Sequence, residues 1–216
     1  MKLFKSKKFI ALFMVLVIMV FGLVAAQAGW DSVLEKEFTG ETADMSVIWT
    51  NAAVGVEGNP YLSASYDLTE TDLTYTFGGL YPGAKINWMS EQTNVGTIPV
   101  EYDTLVFTCD GIDQAVKDNI YLKLQYWITD DMGTPVGSAS TVVEENYNDI
   151  GVAVNALLTG VELLPGDKLY IGIQGNTDGD FAEMYMHPGA GNETKGKSIN
   201  IKFDIKYKVS TNINQP

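Results

Sequence analysis

The sequence predicts an all-β protein: an antiparallel, jelly-roll-like β-sandwich with one or two short helices, preceded by a signal-peptide helix. Three observations carry this. From Asp44 onward the apolar residues recur with a period of two rather than 3.6. Gly- and Pro-bearing turn sequences separate these stretches at short intervals. The closing stretch Ser198 to Ser210 alternates without a break, with Ile199, Ile201, Phe203, Ile205, Tyr207 and Val209 set against Asn200, Lys202, Asp204, Lys206 and Lys208. An antiparallel sheet covered on one face and wet on the other requires that alternation. Roughly nine short strands of this kind point to two packed layers.

Residues 1–28 read as an export signal. Lys2, Lys5, Lys7 and Lys8 form a basic start, Phe9 to Val24 is an apolar run, and Ala26-Gln27-Ala28 is a small-x-small cleavage site. The alternative is an uncleaved anchor, because the run approaches the roughly 18 to 20 residues of a spanning helix; a membrane enters the reading only through this segment. The expected address is secreted, at the cell surface.

Residues 29–43 form a polar N-terminal arm carrying isolated apolar residues, Trp30, Val33, Leu34 and Phe38. A short amphipathic turn of helix and an extended arm both fit it. Residues 44–210 are the sandwich domain and 211–216 a polar tail. Within the domain Met45, Val47 and Trp49 open a strand, Tyr61 to Leu68 repeats the pattern weakly after the turn Glu57-Gly58-Asn59-Pro60, and Leu73, Tyr75 and Phe77 alternate with threonines. Leu80 to Tyr102 then reads as turn, strand, loop and strand. Pro82-Gly83 suits the centre of a type II turn, Ile86 and Trp88 share a strand face, and Asn94 to Gly96 supplies loop chemistry. Pro99 lies within the run Ile98, Val100, Tyr102, which marks that end as an edge or a bulge.

Leu105, Phe107 and Cys109 continue the sheet up to the turn Asp110-Gly111. Ile112 to Asn119 fits a single helical turn. In the strand Tyr121 to Ile128, Trp127 shares the polar face with Lys123 and Gln125, which makes it the expected exposed aromatic. Thr141 to Val143 is a short strand candidate. Asn148 to Leu158 is the helix candidate, capped by Asn148 or Asp149, with Ile150, Ala153, Val154, Leu157 and Leu158 at helical spacing and Gly160 to end it. Leu164-Pro165-Gly166-Asp167-Lys168 then repeats the earlier Leu-x-Pro-Gly turn and leads into a strand from Leu169 to Ile173.

Charge and composition exclude some functions. The whole chain carries a net charge of −13, which becomes −17 once the four lysines of the signal are gone, and it contains no arginine. A phosphate-rich partner would be repelled, so nucleic acid is not an expected partner. Cys109 is the single cysteine, which rules out an intramolecular disulfide, and its place on the Leu105–Phe107 face predicts a buried thiol. No catalytic residues are assigned. The one histidine, His187, has no acidic partner at metal-site spacing, and neither His-Glu-x-x-His nor Gly-x-Ser-x-Gly is present. Asp178, Asp180 and Glu183, following Asn176, resemble a fragment of a calcium loop because oxygen ligands alternate along it, but the spacing departs from the twelve-residue pattern and Asp-Gly clusters are ordinary turn formers. No cofactor is expected beyond that calcium alternative. The four tryptophans, Trp30, Trp49, Trp88 and Trp127, divide between core positions and a sugar-binding platform. Asn192-Glu193-Thr194 fits a glycosylation acceptor, a short pattern that carries little information.

The turn Leu80-Tyr81-Pro82-Gly83, the strand after it and Asn94-Val95-Gly96-Thr97-Ile98-Pro99-Val100 resemble the signature of the TasA/camelysin family of secreted β-sandwich proteins. The export signal, the helix before a second Pro-Gly turn and a last strand entered through Gly196-Lys197-Ser198 follow the same arrangement. The long apolar run and the ordinary Ala-x-Ala site depart from the family's processing pattern. The resemblance implies a structural subunit of surface or biofilm-matrix filaments that self-associates by donating an N-terminal strand into the next subunit. Other matrix or cell-surface components are further partners on this view. On that implication Gly29 to Phe38 is the donor, with Trp30, Val33 and Phe38 as its anchors at the subunit interface. Relatives of the camelysin type have been catalogued as metallopeptidases, and the ligand set for that is missing here. A monomeric cell-surface binding module, either an adhesin or a carbohydrate binder, is the alternative.

Overall fold

In a computed structural model the described residues are 43–56, 60–110, 113–175 and 180–211. The chain divides into two units between Ala43 and Asp44, and the architecture below belongs to the second. The export signal, the arm with Trp30, Val33 and Phe38, and the polar tail from residue 212 lie outside the described residues.

Eleven strands are found among the described residues: β1 (Val47–Val56), β2 (Ser63–Leu68), β3 (Leu73–Leu80), β4 (Lys85–Asn94), β5 (Val100–Asp110), β6 (Ile120–Thr129), β7 (Val143–Asn146), β8 (Glu162–Leu163), β9 (Lys168–Gly172), β10 (Ala182–Met186) and β11 (Lys197–Val209). Two helices accompany them, α1 (Gln114–Lys117) and α2 (Tyr147–Leu158). The strands form two antiparallel sheets, giving the all-β, sandwich-like architecture that the alternation predicts. The first runs β1-β4-β10-β6-β7, with β9 also bridging β4 and β6; the second runs β2-β3-β11-β5-β8. β9 and β10 share one slot, since β9 pairs with Ser90–Thr93 of β4 and β10 with Lys85–Trp88.

The sheets meet through aromatic rings. Trp88 of β4 lies 5.5 Å from Tyr75 of β3 and 5.0 Å from Phe203 of β11, centroid to centroid. Polar ties cross the same gap: the Tyr75 hydroxyl donates to Met89 O, and Tyr207 Oη lies 2.6 Å from Gln92 Oε1. Aromatic pairs at these separations add to the burial of their area, which makes this cluster the mechanical centre of the domain.

Bulges explain where period two breaks down. Tyr102 pairs with Tyr207 but Thr104 with Lys206, which leaves Asp103 as an extra residue in β5. The parity flips there, so Val100 and Tyr102 before it and Leu105 and Cys109 after it all face the core. Thr50 does the same in β1, where both Trp49 and Ala52 are buried. Pro99, expected inside this strand, instead precedes it and accepts a hydrogen bond from the Ser210 N–H.

The two Leu-x-Pro-Gly turns close alike. Ala84 N–H donates to Tyr81 O and Asp167 N–H to Leu164 O, both at 2.9 Å, with Gly83 and Gly166 at positive φ as the type II turn requires. The strands they launch, β4 and β9, pair with each other. Asn94 fastens the second turn to the first motif: its N–H donates to Asp167 O, its carbonyl accepts from Gly166 N–H, and its side chain donates to Ile98 O and Leu163 O.

Asp167 is buried inside that turn, where its carboxylate accepts the Leu164 N–H at 2.9 Å. Burial pushes its pKa up, and the Asp130 and Asp131 carboxylates push it further. A raised carboxyl pKa in the folded state means that its charged form costs stability, and the cost is relieved as pH falls through the folded value toward the unfolded one near 3.9. Asp167→Asn keeps an acceptor for Leu164 and removes the repulsion. It is expected to stabilise the domain at pH 7 by a few tenths to about 1 kcal/mol and to flatten the mildly acidic part of a stability-against-pH curve measured by urea unfolding. An unchanged curve would show that the carboxyl titrates alike in the folded and unfolded states.

Four elements differ from expectation. β8 and β10 lie outside the strands that periodicity predicts: β8 has two residues, too few for any periodicity, and β10 begins directly after a loop sequence. β7 lies at Val143–Asn146 rather than 141–143. α2 starts at Tyr147, capped by Asn146, whose side chain accepts the Asn148 N–H and also donates to Asp118 O and Ile120 O. This cap is fixed by contacts with the entry to β6, which sequence spacing does not encode.

Trp127 requires a correction. It lies on the polar face of β6 as the alternation says, yet it is only 7% exposed. Its ring stacks on Tyr170 of β9 at 5.0 Å with 3° between the planes. The indole also covers Gly172, where a Cβ would come within 3.0 Å of it. A neighbouring strand of the same sheet therefore buries this ring on the outer face.

Candidate functional site

β5 pairs with β11 along its whole length, so one side of its backbone is satisfied from Val100 to Asp110. The other side is satisfied only in part. β8 pairs with Val100 and Glu101, and Tyr102 N–H donates to Val161 O at 2.8 Å. Leu105 is met by a side chain: its N–H donates to Asn155 Oδ1 at 3.0 Å, and Asn155 Nδ2 donates to Leu105 O at 2.9 Å. Two residues on, the alternation of an antiparallel ladder turns the N–H and C=O of Phe107 outward. Among the described residues neither group has a partner.

Helix α2 stands beside this edge because its apolar stripe, Ile150, Val154 and Leu158, is buried against β5, β6 and β7, bridging the two sheets. The contact is close at Asn155 and leaves a groove of about 530 Å³ further along, lined by Leu105, Val106, Phe107, Tyr147, Gly151 and Val152. Phe107 forms its floor, held at 4.7 Å from Phe203 in an edge-to-face contact. Two valines rim it, Val106 at 47% and Val152 at 75% exposure. Backbone groups without partners beside exposed apolar side chains are what a strand edge offers to another strand.

The outer face of the first sheet has a different character. Tyr121 and Tyr185 stack at 5.4 Å, and His187 lies 5.9 Å from Tyr121. Burial and the Glu144 carboxylate that accepts its hydroxyl proton push the Tyr185 phenol pKa upward. Glu183 pairs with Lys85 at 2.7 Å on the same face. Asn87 Oδ1 is buried there with no hydrogen-bond partner among the described residues.

The residues singled out from the sequence fall as follows. Asp178 lies outside the described residues. The Asp180 carboxylate accepts the Gly175 N–H, while Glu183 is committed to Lys85, so the two are engaged in separate contacts. Among the described residues no group of three or more His, Cys, Asp or Glu is placed to hold a metal ion. His187 is a turn residue whose Nδ1 accepts from Gly189 N–H at 3.0 Å. Trp49 and Trp88 belong to the core, and Cys109 is buried as its strand face predicts. Thr194 of the acceptor-like tripeptide is buried, its hydroxyl donating to Gly191 O. No described helix is long and apolar enough to cross a membrane.

The chain matches no protein-family model, no curated protein and no solved structure.

Sequence reasoning missed the groove, although two signals were present. Val106 is apolar on the wrong parity for the Leu105–Phe107–Cys109 face, and Val152 falls outside the helical stripe of Ile150, Val154 and Leu158. Paired off-pattern valines on a strand and a nearby helix mark an apolar surface that the domain's own core does not use.

Proposed function

We propose that this chain is a secreted structural subunit of extracellular surface or biofilm-matrix filaments, built as a jelly roll and related to the TasA/camelysin family. Residues 29–38 of one copy add as a strand beside β5 of the next. The observation that carries the reading is the β5 edge past Leu105, with outward backbone groups at Phe107 and the Val106–Val152 groove next to it. Natural edge strands are usually short, charged or covered; this one is flanked by a helix and rimmed by valine.

The arm has suitable chemistry. In an extended strand Trp30 and Phe38 share a face and Val33 takes the other. At about 3.3 Å per residue, the arm is long enough to pair at Phe107 and to extend beyond it. A donor and an acceptor at different places on the same molecule make a head-to-tail contact that does not close on itself, and such contacts build filaments. The reading calls for neither cofactor nor catalysis.

Charging the rim tests it. Val106→Lys with Val152→Lys is expected to leave thermal stability within about 0.5 kcal/mol, since both positions are exposed, while abolishing fibres in electron micrographs. Undiminished fibres from a folded double variant would remove the groove from the account. The second reading, a monomeric surface binding module, draws support from the Tyr121–Tyr185 stack and the buried Asn87 amide on the outer face. Size-exclusion chromatography after mild dissociation separates the two, since a strand-exchanging subunit re-forms polymer and a binding module stays monomeric.

A further inference from the structure

We infer that Asn155 is a register stop for strand docking: its carboxamide occupies the ladder position opposite Leu105, so that an incoming strand pairs with β5 only from Phe107 onward. The inference rests on the docking reading above and adds to it the residue that sets where pairing begins.

The geometry is that of an opposing peptide unit. A carboxamide offers one acceptor and an NH₂ donor, the complement of a backbone C=O and N–H. Asn155 uses both on one residue, taking the Leu105 N–H at 3.0 Å and giving to Leu105 O at 2.9 Å. A facing residue in a hydrogen-bonded antiparallel pair exchanges the same two bonds. The side chain is held in that pose by its remaining capacity. Oδ1 also accepts from Tyr102 Oη at 2.6 Å and Thr104 Oγ1 at 3.3 Å, and Nδ2 also donates to Gly151 O at 2.6 Å. Burial raises the Tyr102 phenol pKa, so the hydroxyl remains a donor throughout the neutral range.

For an incoming strand to pair opposite Leu105 it would have to displace all of these bonds and leave Tyr102 Oη without its partner, a cost of about 1 to 3 kcal/mol for each buried polar group left unmet. Phe107 carries no such cost. Docking therefore starts one ladder step further on, beside the groove, and the donor's apolar side chains are set in a fixed register against Phe107 and Val152.

Amide exchange on the processed chain, as monomer and as fibre, tests this. In the parent monomer the Leu105 amide is expected to be protected and the Phe107 amide to exchange on the order of 100-fold faster, given one partnered and one open N–H. On assembly Phe107 gains that protection and Leu105 does not change. In Asn155→Ala the Leu105 amide loses its protection in the monomer and regains it in the fibre, because the strand now pairs one step further. If N155A does not fold, Asn155→Gln carries the same expectation, since its longer side chain can bond Tyr102 but cannot keep both ends on Leu105. A variant fibre that protects Phe107 and leaves Leu105 exposed overturns the register stop and leaves docking intact. Parent fibres with an unprotected Phe107, or a parent that forms no fibres, overturn docking itself and the stop with it.

Discussion

Gly79→Ala is expected to lower stability by roughly 4 kcal/mol or more, placing it among the large single-residue losses attributable to backbone strain. Gly79 sits at φ 70, in the left-handed region, which costs an L-residue about 1 to 2 kcal/mol. Space is the larger problem. A Cβ there would lie 1.7 Å from the backbone O of Tyr61 and 2.9 Å from its carbonyl carbon, neither of which can rotate away. Gly79 also marks the bulge where Leu80 pairs with Lys197 and Phe77 with Ile199. Displacing it loosens β3 from β11, the strand that holds the whole inner side of β5. Gly83→Ala is the control: φ is 83, but no atom of the described residues lies within 4 Å of the methyl that alanine would add, so about 1 to 2 kcal/mol is expected. Denaturant midpoints at constant slope measure both. Equal losses in the two variants would contradict the account of the bulge.

The sequence and the fold agree where a strand buries one face against the opposite sheet. Ile199, Ile201 and Phe203 read inward from alternation alone and are buried, as are Leu73, Tyr75 and Phe77. The Pro-Gly turns were legible because only a few residue types suit their dihedral angles. Legibility fails where an extra residue shifts parity, as Asp103 does in β5, because nothing local distinguishes a bulged residue from its neighbours. It fails again at Trp127, whose cover comes from Tyr170 and Gly172, on a strand far along the chain. The groove was hidden for the same reason. Asn155 reads as an ordinary polar helix residue, and its role exists only because α2 packs between the sheets and brings its amide to Leu105, 50 residues earlier.

Removing residues 29–38 has the other large expected effect, total loss of assembly with the fold retained. Each copy would keep its acceptor edge but have nothing to donate, and a head-to-tail polymer needs both ends. The described core is built from side chains between Trp49 and Phe203, so far-ultraviolet circular dichroism is expected to remain that of a sheet protein. Adding back a synthetic peptide of residues 29–38 should occupy the edge as a chain terminator, protecting the Phe107 amide without restoring fibres. The most direct measurement is negative-stain electron microscopy of the purified chain starting at Gly29, with and without residues 29–38. The account expects fibres from the first and dispersed particles from the second; fibres of equal number and length from both would contradict it.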